Sequence, residues 1–85
     1  MRTIWKFPIA LHDEQFVQMP KGAVVLSAQV QNGILCLWAD IETHNDNETR
    51  HIYINGTGNP IQQPADARYV STVIMDAFVW HVYVQ

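Results

Sequence analysis

The amino-acid sequence predicts an all-β, mainly antiparallel fold, either a small sandwich or an open barrel of about six or seven short strands. Two runs of β-branched and apolar residues flank Asn32-Gly33, the dipeptide best suited to a two-residue hairpin turn. A second pair of such runs lies at the end of the chain. No stretch has apolar residues at helical spacing over enough residues to predict a helix. With 85 residues the chain has room for one core, so residues 1–85 are expected to form a single domain.

The first three strands are predicted from alternation and from one clear turn. Thr3 to Ile9 alternates, and Pro8 favours an edge position there because proline donates no ladder hydrogen bond. Gln15 to Met19 is a weaker strand, and Ala23 to Ile41 forms the first hairpin. A two-residue loop at Asn32-Gly33 would pair Val30 with Leu35, Ala28 with Leu37, Leu26 with Ala39, and Val24 with Ile41.

The opposite face of this hairpin carries Trp38 among smaller or polar residues, Ser27, Gln29 and Cys36. Trp38 is therefore either covered by another segment or exposed at a contact surface.

The second half of the chain predicts a weaker strand and a closing hairpin. The weaker strand is Arg50 to Asn55, and the hairpin joins Tyr69–Met75 to Phe78–Val84 around Asp76-Ala77. Neither face of the last strand is polar enough for solvent, so this strand is expected to be central or to lie in a subunit interface. Loops are expected at 20–22, 43–49 and 56–67, and one helical turn is compatible with 64–68.

Composition limits the partners. Eight Asp and Glu outweigh five scattered Lys and Arg, which disfavours binding to duplex nucleic acid. Hydrophobic residues make up 48% of the chain and aromatic residues 11%, a surplus that predicts a homo-oligomer. The apolar runs are too short for a signal peptide or a membrane span, and a lone Cys36 makes no intramolecular disulfide. A cytoplasmic location is expected.

No catalytic, metal or cofactor pattern is present in the sequence. Ser27 and Ser71 lie inside predicted strands, and Cys36 has no neighbouring base. The four histidines lack zinc spacing, and the acidic residues of the 43–49 loop lack the spacing of a calcium loop. An enzyme would require groups brought together from distant parts of the chain, so a non-enzymatic binding module is the preferred interpretation.

One segment has the composition of an anion site. Gly56-Thr57-Gly58-Asn59 follows a predicted strand, and its amide groups could surround a phosphate, although such glycines more often serve a plain turn. Arg50 and Arg68 flank the segment and could supply charge, although paired surface arginines more often form ion pairs. Trp5, Trp38 or Trp80 could stack a nucleobase, beside His81 on the closing strand.

Several motifs in order along the chain carry a family resemblance. They are Ile4-Trp5-Lys6-Phe7-Pro8, Gln31-Asn32-Gly33 followed by Leu37-Trp38-Ala39, Gly56-Thr57-Gly58-Asn59-Pro60-Ile61, and Phe78-Val79-Trp80-His81-Val82. Together they resemble a family of short uncharacterised proteins of tailed phages and prophages.

The resemblance implies a role in infection. Phage accessory proteins of this size often block host machinery or capture host immune signals, and a sponge that sequesters a cyclic nucleotide or an ADP-ribose derivative needs no catalytic residue. A protein that inhibits a host enzyme by contact, or a minor virion component, is the alternative.

Overall fold

The fold consists of seven strands and no helix. The computed structural model describes all 85 residues. The strands are β1 (Arg2–Pro8), β2 (Glu14–Pro20), β3 (Val24–Gln31), β4 (Ile34–Glu42), β5 (Asn47–Gly56), β6 (Arg68–Met75) and β7 (Phe78–Val84). They form a three-stranded sheet, β1-β4-β3, and a four-stranded sheet, β2-β5-β7-β6, in which all neighbours are antiparallel. The predicted all-β class is confirmed, and the sheets are open rather than closed into a barrel.

The first hairpin has the predicted turn and a different register at its far end. Asn32 and Gly33 have φ angles of 52° and 77°, the two positive values that a type I′ turn requires. Next to the turn, Val30–Leu35 and Ala28–Leu37 pair as predicted.

A β-bulge between Val25 and Ser27 then shifts the register of β3. Val25 pairs with Ala39 and Val24 with Asp40, so the predicted Leu26–Ala39 and Val24–Ile41 pairs are wrong. Val25 is buried in consequence, whereas Val24 and Leu26 are each 50% exposed.

The closing hairpin also contains a bulge. Met75 pairs with Phe78 around Asp76, whose φ is 55°, and the register of β6 shifts between Tyr69 and Ser71. Its second strand, β7, lies between β5 and β6, so the prediction of a central position is confirmed. The bulged strands β3 and β6 contact each other, and the Ala28 amide donates to Ser71 Oγ at 2.9 Å. This contact joins the two sheets along one side.

The core is shared by both sheets. Met19, Leu37, Ile52 and Val82 are fully buried and belong to one cluster of 13 buried residues. Trp38 points to the outer side of the three-stranded sheet, where it lies opposite Lys6 and Ser27 and is half-buried. It is therefore neither covered nor fully free.

The edge strands β1 and β2 show why their prolines are tolerated. In β1, Ile9 donates to the Leu35 carbonyl and Thr43 donates to the Met1 carbonyl, so the odd-numbered residues bond to β4. The even-numbered residues, including Pro8, turn their backbone groups to the free edge, where a missing N–H costs nothing. The predicted edge position of β1 is confirmed.

Two boundaries differ from the prediction. Strand β5 begins at Asn47, which shortens the expected 43–49 loop, because its pairing with β2 extends to Pro20. No helical turn forms at 64–68: the Ala67 amide donates to the Pro64 carbonyl at 3.0 Å in a single tight turn, and β6 begins at Arg68.

Candidate functional site

The candidate site is built around the turn that follows β5. The chain leaves the sheet at Gly56 and reverses through Thr57, Gly58 and Asn59, with Gly58 at a φ of 88°. The Asn59 amide donates to the Gly56 carbonyl at 3.1 Å, and the Thr57 amide donates to the Val79 carbonyl at 3.3 Å. The turn is thus closed on itself and tied to β7.

Gly56 leaves room for two neighbouring side chains and does not have a positive φ angle. A Cβ at this position would lie 2.8 Å from Asn59 Nδ2 and 3.2 Å from the Trp80 ring. The amide of Asn59 and the indole of Trp80 therefore meet across the Gly56 backbone.

Replacing Gly56 with alanine is expected to displace the exposed Asn59 side chain and to lower the free energy of unfolding by less than about 1 kcal/mol, because the closest atom ends a flexible side chain. Chemical denaturation checks the value. Gly33→Ala is the comparison, because a Cβ there meets nothing within 4 Å and only the positive φ is penalised. The packing argument would be contradicted if Gly56→Ala had the same denaturation curve and the same Asn59 amide NMR signal as the unaltered protein.

His81 connects the turn to the outer surface of the four-stranded sheet. Its Nε2 lies 2.7 Å from Thr57 Oγ1, and its Nδ1 lies 3.0 Å from Thr72 Oγ1, which in turn lies 2.7 Å from the Tyr69 hydroxyl. A neutral imidazole donates through one nitrogen and accepts through the other, so the two threonine hydroxyls take opposite roles. The imidazole thereby fixes the Thr57 side chain at the turn.

Three shallow cavities surround the turn, and Gly56 and Asn59 line all of them. A cavity of about 290 Å³ is lined by Asn55, Thr57, Ile61, His81 and Tyr83. An acidic cavity of about 300 Å³ contains Asp13, Glu14, Tyr53, Asn55, Gln62 and Gln63. An aromatic cavity of about 360 Å³ contains Thr57, Ala77, Phe78, Val79 and Trp80.

The charges around the turn are negative. Asp13 and Glu14 line the acidic cavity, and neither lysine nor arginine lines any of the three. Burial raises the pKa of the Tyr53 phenol, and the carboxylates of Glu14 and Asp66 act in the same direction. The cavities therefore favour ligand groups that donate hydrogen bonds over groups that carry negative charge.

A histidine and two aromatic rings form a row beside the acidic cavity. The His51 ring lies 4.4 Å from the Phe16 ring and 4.2 Å from the Tyr53 ring, measured between centroids. His51 Nδ1 lies 2.8 Å from the Tyr53 hydroxyl, and its Nε2 lies 3.5 Å from Glu14 Oε1. Sequence reasoning missed this group. The alternation of His51 and Tyr53 along one strand was its only signal.

The comparison with known proteins gives one result. A family model described as a domain of unknown function, DUF7352, matches residues 1–85. The chain belongs to the DUF7352 family. No curated protein and no solved structure matches the chain.

In this DUF7352 chain, some of the backbone amides of the predicted phosphate site at residues 56–59 are not free to bind a phosphate. The amides of Thr57 and Asn59 already donate to backbone carbonyls within the fold. The glycine turn is therefore present where the sequence predicted it, but two of its four amides are occupied.

The two arginines of the predicted site lie elsewhere. Arg50 donates from Nε to the Gln85 carbonyl at 3.0 Å and from a terminal nitrogen to the Ala23 carbonyl at 2.6 Å, so it ties backbone segments together. Arg68 is exposed at the start of β6, where it pairs with Val84 of β7. The turn lies farther along β7, because Gly56 pairs with Trp80, four residues before Val84. Neither side chain reaches the turn cavities.

Only one of the three predicted tryptophans is at the site. Trp5 and Trp38 belong to the three-stranded sheet, whereas Trp80 packs against Gly56. Phe78, which the sequence analysis did not select, stacks on Trp80 at 5.7 Å with 22° between the rings. Its signal was the shared face of residues two apart on β7.

No group of three or more His, Cys, Asp or Glu residues is arranged to hold a metal ion. The fold contains no helix that could cross a membrane.

Proposed function

We propose that this protein binds a nucleoside-type small molecule at the Gly56–Asn59 turn and holds it unchanged, as an anti-defence protein that sequesters a nucleotide-derived immune signal. The observation that carries the proposal is the combination of groups around one turn. The stacked Phe78–Trp80 pair lines one of three adjoining cavities, two carboxylates line another, and uncharged hydrogen-bonding side chains line all three. Resemblance to short phage proteins supplies the biological setting.

Each part of a nucleoside has a counterpart in these cavities. A base would stack on the Phe78 side of the aromatic pair, since stacking tolerates any base. Asn55 and Thr57 offer donors and acceptors to the edge of the base or to the sugar. The carboxylates of Asp13 and Glu14 would accept hydrogen bonds from ribose hydroxyls.

The negative lining favours one ligand class over the other. A cyclic oligonucleotide uses a ribose hydroxyl of each unit in a phosphodiester and brings several phosphates into the site. An ADP-ribose derivative keeps a ribose with free hydroxyls and can leave its phosphates in solvent. We therefore propose an ADP-ribose derivative as the ligand, bound through base and ribose.

The test is a depletion and recovery experiment. The purified protein is incubated with ADP-ribose, cyclic ADP-ribose and a cyclic dinucleotide, removed by ultrafiltration, and heated to release what it holds. Mass spectrometry is expected to show depletion and intact recovery of an ADP-ribose compound. Asp13→Asn is expected to weaken depletion, whereas Asp46→Asn, an exposed carboxylate outside the site, leaves it unchanged.

Other outcomes overturn the proposal in distinct ways. Recovery of an altered product would make the protein an enzyme. Depletion of the cyclic dinucleotide alone would overturn the ribose argument. A folded protein that depletes none of the three would favour an inhibitor that contacts a host protein.

A further inference from the structure

Each sheet has two edge strands, β1 and β3 in one and β2 and β6 in the other. The edges β3 and β6 contact each other, so β1 and β2 are the edges left for pairing with another chain. Strand β1 pairs only with β4, and β2 pairs only with β5. On β2, the Ile54 amide donates to the Asp13 carbonyl and the Lys21 amide donates to the Asp46 carbonyl. The backbone groups of odd-numbered β2 residues therefore bond to β5. Those of even-numbered residues point to the free edge, as they do on β1.

The outward residues of the two edges complement each other in one antiparallel register. Outward positions of β1 are Arg2, Ile4 and Lys6, and those of β2 are Glu14, Phe16 and Gln18. Pairing Lys6 with Glu14 also brings Ile4 opposite Phe16 and Arg2 opposite Gln18. A cation then meets a carboxylate and two apolar side chains meet, while the Arg2 guanidinium, which donates to Asp40 of its own chain, lies beside the Gln18 amide.

We propose that β1 of one copy of this chain pairs with β2 of a second copy in this register. Each of the three residue pairs exchanges two backbone hydrogen bonds, as in any antiparallel ladder. In the smallest closed assembly, a two-fold dimer, both ladders form and neither β1 nor β2 of either copy remains free.

Pairing of β1 with β1 of a second copy is disfavoured. A symmetric β1–β1 ladder centred on Ile4 sets Arg2 against Lys6 of the other copy, and one centred on Lys6 sets like charges together. Shifting the β1–β2 register by two residues sets Ile4 against either Glu14 or Gln18. The complementary register is thus selected by charge and by apolar contact.

The exposure of the apolar edge residues and the positions of the two prolines agree with this register. Ile4 is 56% exposed and Phe16 is 67% exposed, and the ladder covers both. Trp5, which faces inward at the edge and is still exposed, falls opposite Gln15 of the second copy. Pro8 and Pro20, which lack an amide hydrogen, lie just outside the paired segment at its opposite ends.

The test exchanges the charges at one position of the ladder. Light scattering after gel filtration is expected to give a defined multiple of the chain mass for the unaltered protein and a monomer for Lys6→Glu or Glu14→Lys. Mixing the two variants, or combining both substitutions in one chain, is expected to restore the assembly. Lys21→Glu and Asp46→Lys carry the same charge changes at turn positions outside the paired segment and are expected to leave the assembly intact.

A second measurement needs no substitution. The amides of Ile4, Lys6 and Phe16 have no partner within one chain, so slow hydrogen exchange at these three, lost on dilution, is expected from the ladder. A monomer at every concentration, or an assembly insensitive to both single charge changes, would overturn the proposal. Lys6→Glu also separates it from ligand binding, because Lys6 lines none of the turn cavities.

Discussion

Replacing Arg50 with methionine is expected to lower the free energy of unfolding by about 2–4 kcal/mol. The guanidinium donates to the carbonyls of Gln85 and Ala23, which belong to the chain end after β7 and to the segment entering β3. Methionine keeps much of the side-chain volume but leaves both carbonyls without this donor. For a domain of this size the loss corresponds to a fall in melting temperature of roughly 8–30 °C.

Arg68→Met is the matched control for this prediction. Arg68 is exposed at the first position of β6, so its replacement is expected to change stability by less than about 0.5 kcal/mol. Calorimetry on both variants checks the difference. Equal melting temperatures would show that the Arg50 contacts contribute no net stability, and reduced ligand retention by folded Arg68→Met would return that arginine to the site.

The fold could be predicted where its determinants are local. Asn32-Gly33 specifies its turn because both residues accept positive φ, and Pro8 marks an edge because it lacks a donor. The bulge at Leu26 instead lies where β3 runs beside β6, and Ser71 of β6 accepts a hydrogen bond from the Ala28 amide. No feature within the hairpin sequence reports a neighbour 43 residues away.

The candidate site could be predicted only in part for the same reason. The glycine turn was visible in the sequence, and Trp80 and His81 meet it because β7 pairs with β5 in register, Gly56 opposite Trp80 and Asn55 opposite His81. Composition could not show that Arg50 would be used by backbone carbonyls. Nor could it show that Asp13 and Glu14 would give one of the three cavities a negative lining.

Replacing Phe78 with alanine is expected to weaken retention of an ADP-ribose compound by about 5–150-fold, the range that corresponds to a base-stacking contribution of about 1–3 kcal/mol. Phe78 is 62% exposed, so its outer ring face is open to a ligand while the other rests on Trp80. Its truncation removes the stacking surface while the Trp80 packing against Gly56 is kept. Equilibrium dialysis of the labelled nucleotide measures the ratio.

Ile74→Ala is the control, because Ile74 is 72% exposed on the same hairpin and lines none of the cavities. It is expected to leave retention unchanged, so that loss of exposed apolar surface is separated from loss of the aromatic platform. Unchanged retention in a folded Phe78→Ala variant would mean that the base does not stack on this ring. In that case the ligand would be held at the Thr57–His81 side of the turn, and Thr57→Val would become the decisive substitution, because it removes the hydroxyl that His81 orients.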